Sequence, residues 1–244
     1  MNRFKWLKVA LLEKRTIRMP STTSFISFTF DDFPRSAYLR GGTILKNYGL
    51  HGTYYVSLSM MDKISPGGVI AGLDILQNVL SDGHELGCHT YTHTDSWRTS
   101  PEIFEASIVE NQRVLSNILP GNSFKTFAFP YCKATPSSKR IAEKYYMCCR
   151  GGRQKINNGR IDLNYVYAFS INSGNDQNIS SIKKIIDENS ESKGWLIFYT
   201  HDIDEQPSPG GCTPSFFEEI VEYSKKSDSI VLPVIGVLES LSLT

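Results

Sequence analysis

Three places in this chain gather groups able to hold a metal or move a proton: Asp31-Asp32, the run His89-Thr90-Tyr91-Thr92-His93, and His201-Asp202. Adjacent carboxylates repel each other and lose water if enclosed, and a divalent cation offsets both costs. The plainer use of such a pair is a solvated turn, since Asp favours turns and Pro34 stands close by. Histidines four apart share one face of a helical turn, which predicts that the imidazoles of His89 and His93 reach a single ion. Two ring nitrogens and one carboxylate leave a position open for water, the pattern of catalytic rather than structural zinc. His201 adds an imidazole able to give up a proton near neutrality.

Each of these places follows a strand-like run. Ser24–Phe30 is aromatic and β-branched and ends at Asp31; His84–Cys88 ends at His89; Trp195–Tyr199 ends just before His201. Further strands are expected at Thr53–Val56, Phe124–Phe129, Tyr145–Cys149, Tyr165–Phe169 and Ile230–Leu232, with a polar loop over Gly151–Gly159. Helices are expected at Ala37–Tyr48, stopped by Gly49, and at Leu73–Leu80, Ser137–Lys144, Ile179–Asn189 and Pro214–Lys226. Ser100-Pro101 caps a longer helix carrying Ile103, Phe104, Ile108, Leu115, Ile118 and Leu119 as its apolar stripe. Such alternation predicts an α/β fold: a distorted (β/α) barrel of seven or eight mostly parallel strands, in a single domain. In a barrel of that kind, chemistry sits where the strands end.

A chain of 244 residues is long enough for one such domain, and a net charge of +1 gives no electrostatic reason to expect nucleic acid. Residues 1–21 are set apart from the domain at 22–244 by their charge: the first twenty carry six Lys/Arg against Glu13. Their apolar stretch, Trp6–Leu12, is too short and too charged for a transmembrane segment and lacks the features of a secretion signal. The segment is expected as a solvated or loosely docked extension, with contact to a membrane surface as the alternative, and the chain as cytoplasmic. The five cysteines form no paired framework and are expected as thiols; Cys88, beside His89, should point away from it. His51 and His84 are expected to be structural.

The segments Thr29-Phe30-Asp31-Asp32, His89–His93, Phe129-Pro130-Tyr131 and Thr200-His201-Asp202 follow one another in an order that resembles the polysaccharide deacetylases, the carbohydrate esterase family 4 group. The resemblance spans about Ser24–Leu241. The runs Gly83-His84-Glu85-Leu86-Gly87 and Gly52-Thr53-Tyr54-Tyr55-Val56 also look like that family's strands. It implies a metal-dependent hydrolase removing acetyl groups from N-acetylated glycans or amino sugars. It also implies roles: Asp31 as base, Asp32, His89 and His93 as ligands of one divalent ion (zinc, or cobalt, nickel or manganese), the Tyr131 N–H at the oxyanion, and His201 as acid. Two features depart from the family: its tryptophan-containing fourth motif is not evident, and an Arg normally stands two residues before the third motif's Pro, where this chain has Ala128. Arg150 and Arg153 are the candidates to reach that Arg's space, with loop arginines in solvent as the plainer reading of each. Trp97, Tyr91 and Tyr131 are candidates to stack on sugar rings, and Trp195 is expected in the core. The alternatives are a same-fold hydrolase of another small amide or cyclic ureide, and a non-catalytic glycan-binding derivative.

Overall fold

The computed structural model describes residues 3–173 and 178–243. Helix α1 (Arg3–Leu11) and strand β1 (Thr16–Arg18) precede the first core strand, β2 (Phe25–Phe30). A π-helical stretch, Ala37–Gly42, runs into α2 (Thr43–Asn47), which ends before Gly49 at φ 67° and leads to β3 (Thr53–Val56). A hairpin of β4 (Ile64–Ser65) and β5 (Gly68–Val69) is followed by α3 (Leu73–Ser81), β6 (Glu85–Cys88), α4 (Pro101–Ile118) and β7 (Thr126–Ala128). Next come α5 (Pro136–Ala142), β8 (Cys148–Arg153), β9 (Arg160–Asp162), β10 (Val166–Ser170) and α6 (Ile179–Ser192). The chain finishes with β11 (Trp195–Thr200), α7 (Pro214–Lys226), β12 (Ile230–Val231) and α8 (Val234–Ser240).

Seven parallel strands, in the order β2-β3-β6-β7-β8-β10-β11, close when β11 pairs along the whole of β2. The barrel is distorted beside β2. Its last two residues pair with β3, while its first two pair with β12, so the short eighth strand wedges into the gap. The expected single α/β barrel is what the chain forms.

Period-two alternation sorts the side chains into two cores. Ile26, Phe28 and Phe30 face outward and pack with Leu196, Phe198 and, from α7, Phe217 and Ile220. Phe25 faces inward with Cys148, Val166, Ala168, Trp195 and Ile197, and Val234, Val237 and Leu238 of α8 plug that end of the barrel. Strands covered on both faces need near-continuous apolar sequence, which is why the FISFTF run of β2 is buried throughout.

One expected strand shifts by several residues, and the N-terminal stretch expected to be solvated or loosely docked is instead paired and packed. The strand placed at Tyr145–Cys149 instead runs Cys148–Arg153, because the N–H groups of Tyr145 and Tyr146 still bond back to Ala142 at the end of α5. Gly151–Arg153 thus continue the strand that was expected to have become a loop. In the basic N-terminal stretch, β1 pairs antiparallel with β9, and Val9 and Met19 are buried. The fully buried Lys139 donates to the carbonyls of Val9 and Leu12, each at 2.8 Å.

Candidate active site

Inward parity, carried to the strand ends, selects the site. On β2 the inward series Phe25, Ser27, Thr29 points next to Asp31; on β6, Glu85 and Gly87 lead to His89; on β11, Trp195, Ile197 and Tyr199 lead to His201. On β8 the series Cys148, Arg150 ends in a guanidinium. Four strands therefore aim ionisable groups at one mouth.

Asp32, His89 and His93 form a cluster whose ligand atoms all lie within 4.8 Å of one another. Asp32 Oδ1 stands 3.2 Å from His93 Nε2 and 3.6 Å from His89 Nε2. It is nevertheless buried without a hydrogen-bond partner, so the three atoms face a common point rather than bonding to each other. Ligands about 2.0–2.2 Å from a tetrahedral ion are separated by roughly 3.4 Å, which matches these spacings. His89 is fixed from behind by Nδ1 at 2.8 Å from the Ala128 carbonyl, which makes Nδ1 the donor and leaves the Nε2 lone pair facing the cluster. Burial lowers its pKa to about 4, which also favours the neutral ring. The residues present fit a divalent cation.

The two imidazoles do not reach this arrangement by a helical turn, as their spacing suggested. Residues 89–93 are a loop in which Thr90 and His93 adopt left-handed φ values of 61° and 53°. The Thr90 hydroxyl accepts from the Thr94 N–H at 2.7 Å, and Ser107 of α4 accepts from the Tyr91 N–H at 3.0 Å. These bonds pin the loop in place of helical ones. Cys88 turns outward as expected and accepts from Asn111 Nδ2 at 3.2 Å.

Asp31 is 4 % exposed and Arg150 fully buried. Arg150 Nη2 donates to both carboxylate oxygens, at 2.5 and 2.6 Å. Its Nη1 donates to the Gly151 carbonyl at 2.8 Å, and its guanidinium carbon lies 5.2 Å from the Tyr55 ring centre and 4.9 Å from that of Tyr199. Burial works against an ionised Asp31, but Arg150 together with His89 and His201 outweighs it, so its pKa falls below the ordinary value. Arg153, the other candidate, lies over Trp6 instead. Arg150 is the register partner of Ala128, so the two occupy adjacent strands at the same level. The guanidinium missing at position 128 is supplied one strand over.

His201 Nε2 stands 4.0 Å from Asp32 Oδ2, and its Nδ1 is 3.1 Å from the Gly210 carbonyl, the contact that orients the ring. The Tyr131 ring meets His93 at 4.5 Å. Tyr131 itself has φ 57° and sits in the first turn of the 3-10 segment Pro130–Cys132, where an N–H has no acceptor within the segment. All six expected site residues therefore converge on one mouth. The Ala128 carbonyl, the Gly210 carbonyl and the Tyr55–Tyr199 sandwich escaped sequence reasoning; strand parity would have found the two tyrosines, but nothing in sequence marks the carbonyls.

The chain is thus a closed parallel barrel that carries paired carboxylates and an Asp-His-His cluster at its mouth. Residues 18–148 match the polysaccharide deacetylase family, and the chain belongs to it. It is 24 % identical over 211 residues to a gellan lyase from Bacillus sp, covering 79 % of this chain and 8 % of that protein. It is 29 % identical over 127 residues to a chitin deacetylase from Arthroderma benhamiae, covering 50 % of this chain and 32 % of that one. The chain thus spans less than a third of the length of either relative. Its fold is similar to that of a family 4 acetyl xylan esterase from Clostridium thermocellum, solved with a cobalt ion, at TM-score 0.64, 17 % identity and coverage of 90 % and 93 % of the two chains.

Proposed function

We propose that this protein removes acetyl groups from N-acetylated sugars, using Asp31 as base, His201 as acid and one divalent ion held by Asp32, His89 and His93. The observation that carries this reading is the division of labour between neighbouring carboxylates. Asp32 turns an unpartnered oxygen towards two imidazoles, while Asp31 is held apart by Arg150. The ion, zinc first and cobalt, nickel or manganese next, supplies Lewis acidity for the acetyl carbonyl and a more acidic water.

Asp31 accepts the proton of the attacking water, and Arg150 keeps its carboxylate ionised and oriented for that purpose. The Tyr131 N–H donates to the oxygen that becomes negative in the tetrahedral state; one such donor contributes roughly 3 kcal/mol. His201, steadied through Nδ1 by the Gly210 carbonyl, delivers a proton from Nε2 to the departing sugar nitrogen. Without that proton the amide nitrogen is a very poor leaving group. Products are acetate and a free amino sugar.

The test is acetate release from N-acetylated oligosaccharides by the zinc- or cobalt-loaded protein, with metal content measured alongside. Asp32→Ala and His93→Ala should lose bound metal and turnover together. A variant of either kind that binds metal stoichiometrically would remove the cluster from the reaction.

A further inference from the structure

A row of packed side chains leads away from the mouth beyond Tyr131. Lys133 Nζ lies 4.8 Å from the Tyr131 ring centre and 5.5 Å from that of Trp97. Trp97 meets Trp6 of α1 edge-on at 5.5 Å, and the Arg153 guanidinium lies 5.3 Å from Trp6. Aromatic rings and cations thus alternate from His93 to a cavity of about 280 Å³ between the N-terminal segment and the β8–β10 side of the barrel. That is just under the ~300 Å³ at which small-molecule sites begin, which suits one charged substituent rather than a whole ligand.

Its charge is one-sided. Lys14, Arg153, Lys155 and Arg160 line it, and among the described residues none of the four has a carboxylate partner. The cavity's one acidic residue, Asp162, is occupied: Lys139 Nζ stands 2.7 Å from one oxygen and the Arg15 N–H donates to the other at 3.0 Å. A concave wall with four uncompensated cations concentrates positive potential, which a neutral glycan does not use. A single-stranded nucleic acid fits less well, because it needs ring faces open for stacking. Here Trp6 meets both Trp97 and Tyr165 edge-on, and Tyr165 meets Tyr167 in the same way.

We propose that this cavity binds an anionic group, carboxylate or phosphate, on the same glycan whose acetamido group lies at the Asp32–His89–His93 cluster. The substrate class is then an acidic N-acetylated glycan. This rests on the deacetylase reading, and the test keeps the two apart by measuring binding without turnover. The Asp31→Asn protein, loaded with zinc, is titrated calorimetrically with four probes. These are a hyaluronan hexasaccharide carrying carboxylates, chitohexaose 1-phosphate, chitohexaose as the neutral control, and an oligo-dT. The expected result is at least tenfold tighter binding of one of the two acidic sugars than of chitohexaose; which one it is identifies the anion. That preference should fall about tenfold in Arg153→Gln/Lys155→Gln, and likewise in Lys14→Gln/Arg160→Gln, all exposed lining positions that do not carry the fold. Equal affinity for chitohexaose, an acidic preference that survives both double variants, or oligo-dT binding tighter than either acidic sugar would each overturn the proposal. Acetate release by the wild-type protein is scored separately. Anion-selective binding with no acetate from any probe sinks the deacetylase reading alone.

Discussion

At the scale of single residues, the decisive pair is Asp31 and Arg150. A buried carboxylate and guanidinium are costly to desolvate, and removing one partner strands the other, at about 3–5 kcal/mol. Arg150→Met should therefore destabilise the fold by that order in urea unfolding, with Asp31 left charged and unpaired. The double variant Asp31→Asn/Arg150→Met should recover much of the loss, since neither charge remains. Asp31→Asn alone should keep its metal and lose about 10²–10⁴-fold in kcat, the range of a positioned base. Because Ala128 and Arg150 are register partners on the same face, Ala128→Arg/Arg150→Ala should return the guanidinium from the neighbouring strand. Turnover in that swapped protein above the Arg150→Ala level is the expected outcome. If the swap is no better than the single variant, position along the barrel matters more than the charge itself.

At the scale of elements, the mouth loops are held in unfavourable backbone geometry. Asp32, Phe33, Thr90, His93, Tyr131 and Cys132 all have positive φ, half of the non-glycine residues that do so in the described chain. Each such conformation costs about 1–3 kcal/mol, so something at the mouth must oppose relaxation. On the proposed function, a cation held by Asp32, His89 and His93 would supply that opposition. Saturating metal at a hundredfold its Kd should stabilise the protein by about 2.7 kcal/mol, read as a calorimetric Tm that drops on chelation. Asp32→Ala should show no such drop. The loop after β11 has a tighter constraint, because a Cβ on Gly210 would come within 2.6 Å of His201 Nδ1. Gly210→Ala should turn that ring and cost on the order of 10²-fold in kcat, with metal content unchanged. Much of this was legible in sequence: the aromatic and β-branched runs gave the strands, and Asp31, His89 and His201 announced themselves by following them. The β8 boundary was not, because Arg150 and two glycines read as loop until β7 and β10 pair with them. Nor was the 89–93 loop, since a spacing of four has the same sequence whether side-chain hydrogen bonds or helical ones hold it. Helix α8 was hidden as well, its short apolar run becoming intelligible only as the plug of the inner core.

Across the whole molecule, the two barrel ends carry different burdens, chemistry where the strands end and stability where they begin. His84, at the start of β6, belongs to the second. It is buried, its Nδ1 accepts from the Gly52 N–H at 2.9 Å, and Tyr38 and Tyr54 pack edge-on against its ring. Burial, with the nearby His51, lowers its pKa from 6.5 to about 4. The folded protein therefore keeps this ring neutral between those values, whereas the unfolded chain binds a proton there. Stability from this group is complete above about pH 6.5, declines as pH falls, and is gone near pH 4, a loss on the order of 3 kcal/mol. Urea unfolding of wild type and His84→Gln at pH 7 and pH 4.5 reads it, since titrating groups remote from this ring cancel in the difference. The substitution should cost more at pH 7 than at pH 4.5, because acid has already removed most of what the neutral ring contributes. An unchanged difference at the two pH values would mean that the Gly52 N–H tolerates a protonated ring, and the acid sensitivity would then have to originate at the mouth.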